Sequence, residues 1–176
     1  MRSRTLLVTA ATGLLVAGVA LPASADTGPT DATLIITAGV ISITVPADAG
    51  TLATFQNQVG GGAVSGSLGQ VRVSDARSAA AGAGWVATVI SSAFTPPAGP
   101  AIPASAVGYT VGTITKVGTA TYTANDPPDL TGVSPAVTAT GITGDNSATW
   151  NPTINILVPG GMAPNTYSAI ITHSVA

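Results

Sequence analysis

The 176-residue chain has no cysteine and no glutamate, one histidine, and few charges: five Lys or Arg and seven Asp. Without cysteine, no disulfide framework holds the fold together and no thiol serves as nucleophile or metal ligand, so stability must come from apolar burial and backbone pairing. A single His falls short of the several nitrogen or sulfur ligands of a mononuclear zinc site. Beyond residue 25 the cations are Arg72, Arg77 and Lys116 against seven Asp, a formal charge of −4. Nucleic acid calls for a basic stripe to neutralise phosphates, and an anionic membrane surface asks for the same, so both are excluded as expected partners. With so few charges, Gly, Ala, Ser, Thr and Val dominate, a balance that points towards disorder, but disordered chains are poor in β-branched residues, whereas Val, Ile and Thr run throughout this one.

The N-terminus reads as an export signal. Met1-Arg2-Ser3-Arg4 is a basic opening, Thr5 to Leu21 is apolar, and Pro22-Ala23-Ser24-Ala25 ends on small residues before Asp26. A membrane-spanning helix needs about 20 strongly apolar residues. This run is shorter and is diluted by Thr5, Thr9, Thr12, Gly13 and Gly18. Cleavage after Ala25 is expected, with no membrane insertion afterwards. Residues 26–31 then form a flexible leader and 32–176 a single domain. The 151 residues left after removal of the first 25 fit one domain with a substantial core. No second spanning segment or sorting motif follows, so the expectation is a secreted protein, extracellular or attached non-covalently to the cell wall.

Past the leader no stretch of ten or more residues keeps a 3.6 period, and short β-branched runs alternate with Gly- and Pro-rich breaks. Thr33–Thr37 and Val40–Val45 read as strands interrupted by Gly39 and closed by Pro46. Residues 47–66, with Gly60-Gly61-Gly62, read as a long loop. Gly69–Ser74 and Trp85–Ser91 read as two neighbouring antiparallel strands joined by a loop over Asp75–Gly84. Thr95–Pro100 holds three prolines that cannot donate to a ladder and reads as a turn. Ala106–Val111, Gly118–Thr123 and Ala136–Gly141 are further strands, with Asn125–Asp129 a loop between the last two. At the end, Ile154, Ile156 and Val158 alternate with Asn155 and Leu157. After Pro159-Gly160-Gly161 a second strand runs from Tyr167 towards Val175. Eight or nine such strands predict an all-β antiparallel sandwich, Ig-like or jelly-roll-like.

Little chemistry is visible. His173 has no Asp near it in sequence to orient it, there is no Gly-x-Ser-x-Gly elbow, and a nucleophile without a base is inert. Asp126, Asp129 and Asp145, with Asn125 and Asn146, offer oxygens suited to Ca²⁺, yet no EF-hand spacing is present and the same residue types serve turns. A pair of Asp acting as a glycosidase dyad would need two carboxylates facing each other across a cleft. The reading is a non-enzyme without cofactor or resident metal. Trp85 and Trp150 stand near strand ends, where they would either fill the core or stack on a carbohydrate.

Two segments resemble the signatures of WxL-type surface domains of Gram-positive bacteria. Ser74-Asp75-Ala76-Arg77, a small-residue loop, then Gly84-Trp85-Val86-Ala87-Thr88-Val89 is similar to the first signature. Val158-Pro159 through Ala163, followed by Asn165–Val175, is similar to the family's closing strand. The order and spacing extend over most of residues 33–176. Both signatures depart from the family: Val86-Ala87 follows Trp85 where the pattern ends in leucine, and His173 and Val175 stand where tryptophan and leucine are expected. The chain thus looks like a divergent relative, of the kind carried by secreted actinobacterial proteins.

The resemblance implies non-covalent association with the wall, through peptidoglycan or another surface protein, using a face near Trp85 and His173, with Trp150 and Tyr167 as further candidate contacts. A different expectation is a structural or adhesive subunit that assembles with itself or other exported proteins through unpaired strand edges. The sequence leaves the oligomeric state open.

Overall fold

The computed structural model describes residues 31–176; the expected export signal and nearly all of the expected leader lie outside the described residues. Ile36–Ala176 forms one compact unit. Its strands are β1 (Ile41–Thr44), β2 (Gly62–Ser67), β3 (Val71–Ser91), β4 (Val107–Thr110), β5 (Thr115–Ala124), β6 (Ser134–Trp150), β7 (Thr153–Val158) and β8 (Ile171–Val175), with one turn of 3₁₀ helix at Ala104–Ala106. The fold is the expected all-β antiparallel sandwich. One sheet runs β1-β3-β6-β5 with β8 also on β3, and the other runs β2-β7-β4.

The alternation of the sequence decides which faces meet. In β7, Ile154, Ile156 and Val158 point inward while Asn155 and Leu157 face water. On β3 the same period buries Val71 and Val73 at one end and Trp85, Ala87 and Val89 at the other. Against them lie Val137, Ala139, Ile142, Ala148 and Trp150 of β6 and Val107 and Tyr109 of β4, all buried. Burying a side chain of Val or Ile size contributes about 1.5–3 kcal/mol, so this layer, rather than any covalent staple, carries the fold.

The two strands expected at Gly69–Ser74 and Trp85–Ser91 are not partners. They are the two ends of one 21-residue strand, β3, and both pair with β6. The expected loop between them continues the ladder with register shifts, matching Asp75 to Asn146, Ala79 to Gly144, Ala83 to Ile142 and Trp85 to Ala139. Small residues without an apolar period look like loop, but a long partner strand and bulges at Ser78 and Gly82, both at positive φ, keep them in the sheet. Likewise β6 runs well past Gly141 to Trp150.

Two other expectations change. Gly62–Ser67, assigned to a loop, pairs in full with Thr153–Val158 of β7, because the outward face of β2 needs no apolar residue. Thr33–Thr37, read as a strand, lies in a stretch with no assigned strand or helix. β7 and β8, adjacent in sequence, belong to different sheets. β1 and β8 line the same edge of β3, opposite Arg72–Asp75 and Ala87–Ser91 respectively.

Candidate functional site

The period of β3 brings Asp75 onto the inward face directly after Val71 and Val73, a carboxylate in a row of core positions. Arg77 closes over it, donating from Nε to Oδ1 at 2.8 Å and from Nη2 to Oδ2 at 3.0 Å, while its own backbone N–H donates to Oδ1 at 3.1 Å. Asn146 Nδ2 adds a fourth bond, to Oδ2 at 3.2 Å. The paired guanidinium and these bonds hold the Asp75 carboxyl below its ordinary value against the opposing effect of burial. Asn146 Oδ1 in turn accepts from the Trp85 indole at 3.0 Å and the Tyr122 hydroxyl at 3.1 Å, and the Trp85 and Tyr122 rings pack at 5.7 Å. The residues of the first signature therefore form one internal network in which Trp85 is 2% exposed.

A second polar chain runs from the core to β8. Trp150 Nε1 donates to the Tyr109 hydroxyl at 2.9 Å, and that hydroxyl meets His173 Nε2 at 3.1 Å. An indole N–H is a donor only, so Tyr109 accepts there and has its own hydrogen for His173. When the Tyr109 hydroxyl donates to Nε2, the imidazole proton sits on Nδ1; the roles follow the ring's tautomer, and Nδ1 is a buried atom without a hydrogen-bond partner. Burial pushes the Tyr109 phenol up and draws His173 down to about 4 from an ordinary 6.5, so the ring is neutral near pH 7.

His173 also borders a cavity of about 830 Å³. Its walls combine core residues such as Phe94, Ile102 and Met162 with Tyr167 and residues of the 45–57 segment. That segment is held by Asn57 Nδ2, which donates to the Met162 carbonyl at 2.7 Å. Tyr167 is half-buried and donates to the Ala163 carbonyl at 2.8 Å. The lining holds one acid, Asp48, and neither Lys nor Arg. Small-molecule sites span roughly 300–1,000 Å³, mix apolar walls with a few polar groups, and lie in clefts such as this one.

The four residues singled out from sequence thus separate. His173 and Tyr167 border one cavity, Trp150 is buried but linked to His173 through Tyr109, and Trp85 belongs to the Asp75 network. Tyr109 and Asn146 join these groups and were not singled out as contacts. The signal for Tyr109 is its inward parity with Val107 on β4, whereas Asn146 reads as a turn residue until β6 is seen to be continuous.

Four further carboxylates cap backbone. Asp48 accepts from Gly50 N, Asp126 from Val111 N, Asp129 from Thr131 N and Asp145 from Ser78 N. Among the described residues no three His, Cys, Asp or Glu gather as a metal site. No protein-family model, curated protein or solved structure matches the chain.

Proposed function

We propose that this chain is an exported, non-catalytic surface domain that associates non-covalently with the cell wall, taking a neutral stretch of peptidoglycan into the cavity bordered by His173 and Tyr167. The observation that carries the reading is the cavity itself, bordered by His173 and Tyr167. A lining without Lys or Arg disfavours anionic ligands, while the N-acetyl groups of wall sugars are neutral. Tyr167 adds an aromatic surface of the kind on which sugar rings pack. The resemblance of the closing strand to WxL-type domains supports the same end of the molecule, since His173 occupies the position of that signature's tryptophan. Trp85 serves in this reading as scaffold, fixing β3 to β6.

The test is co-sedimentation of the protein with purified peptidoglycan sacculi. Binding above that of a control β-sandwich, weakened several-fold in a His173→Ala, Tyr167→Ala double variant, is the expected result. Sedimentation no greater than the control sinks the proposal.

A further inference from the structure

Sheet edges carry unpaired N–H and C=O groups, and proteins ordinarily blunt them with charge, proline, bulges or covering segments. Most edges of this sandwich are blunted. The loop around Leu52 and Phe55 lies against Gly66 and Gly62 of β2. Beside β4, Tyr109 N donates to the Pro127 carbonyl at 2.9 Å. β1 and β8 span only four and five residues. β5 is different: its ten residues pair with β6 on one side and, among the described residues, have no backbone partner on the other. It has no proline and one charge, Lys116, and Val117 is 68% exposed. Two register shifts against β6, on either side of Thr119, are its protective irregularities.

The same chain carries an apolar segment that joins no sheet among the described residues. Thr33-Leu34-Ile35-Ile36-Thr37-Ala38 has the composition of a buried strand, yet Leu34, Ile35 and Ile36 are 83%, 80% and 83% exposed. Three consecutive large apolar side chains in water are unusual for a surface and mark a segment that pairs with something. Asp31 stands at its head, an acid to set against the lone cation of β5.

We propose that Thr33–Ala38 of one molecule adds as a strand to the outer edge of β5 in a second molecule. Main-chain hydrogen bonds supply the affinity in such strand addition, and side chains set the register. A parallel register with Asp31 beside Lys116 lays Thr33–Ala38 along Gly118–Thr123. Every copy carries both the donor segment and the acceptor edge, so the contact is heterologous and repeats head to tail, as in an open fibre. This assembly is independent of wall binding, because β5 contributes nothing to the cavity at His173.

The full chain, expressed with its own N-terminus, is examined by size-exclusion chromatography with light scattering. Concentration-dependent oligomers are expected at about 100 μM, and an Ile35→Asp, Ile36→Asp double variant elutes as monomer. The absence of native cysteine permits a second arm. Under mild oxidation, a mixture of Ile36→Cys and Thr121→Cys chains yields a mixed disulfide-linked dimer at least fivefold more than a mixture of Ile36→Cys and Ser174→Cys chains. A wild-type chain that stays monomeric, a double variant that assembles as well as wild type, or equal cross-linking at Ser174 overturns the proposal.

Discussion

Asp75 and Trp85 are joined through a single amide: Asn146 donates to the Asp75 carboxylate at 3.2 Å and accepts from the Trp85 indole at 3.0 Å. Removing that amide strands a buried indole N–H and takes one bond from a buried anion, and both losses carry a desolvation cost. Asn146→Leu, close in volume, is therefore expected to cost about 2–4 kcal/mol, read as a lower urea midpoint at unchanged m-value. A midpoint within error of wild type would show that the network is replaceable by packing.

The bulge of β5 makes a sharper steric case. Gly118 has φ +87°, and a Cβ there would sit 2.5 Å from the Asp145 carbonyl oxygen of β6. Gly118→Ala is expected to cost about 1–3 kcal/mol from left-handed strain and the clash together. Gly132, where a Cβ meets nothing within 4 Å, is the control, and Gly132→Ala should stay within about 0.5 kcal/mol of wild type. Thermal unfolding of the pair, side by side, decides the matter, and equal melting points would remove the steric account.

Tyr109 links core to cavity, so its hydroxyl controls the proton on His173. Tyr109→Phe keeps the ring between Trp150 and His173 but takes away the group that accepts from one and donates to the other. A loss of about 1–3 kcal/mol is expected from the unpartnered indole. Imidazole nitrogen shifts should report an Nδ1–H tautomer in the wild type and a mixture in the variant. An Nε2–H tautomer in the wild type would reverse the direction assigned to the chain.

Much of the fold was legible because period-two alternation survives wherever one face is buried. Ile154, Ile156 and Val158 gave β7 its bounds to within a residue, and the Ala106–Val111 span brackets β4. Where pairing rather than burial holds the chain, the sequence carries no such mark. Ser78–Gly84 stays in β3 through bulges opposite β6, and Gly62–Ser67 is a strand because β7 is beside it. The site divided in the same way. Trp85 and His173 are singled out by rarity, but their separation into different networks depends on Asn146 and Tyr109, ordinary residues whose roles are set by register across the sheets.

Acid should reveal the two networks in separate windows. Burial lowers His173 to about 4 in the folded protein, whereas the unfolded chain takes up its proton near the ordinary 6.5. Between those values the unfolded state holds more protons, so stability falls as pH drops from about 6.5 to 4 and this group adds no further loss below that. The partial solvent contact of the ring keeps the loss to about 1–3 kcal/mol. Asp75 acts in the same direction but at lower pH. Its folded value lies below the ordinary 3.8, so its contribution is complete above that pH and is lost as pH falls through the folded value. Urea midpoints at pH 7.5, 5.5 and 4 for the wild type and His173→Gln separate the two, because glutamine still accepts from Tyr109 but does not titrate. The wild type should lose stability across this range while the variant stays nearly level. Parallel slopes would place the acid sensitivity elsewhere than at His173.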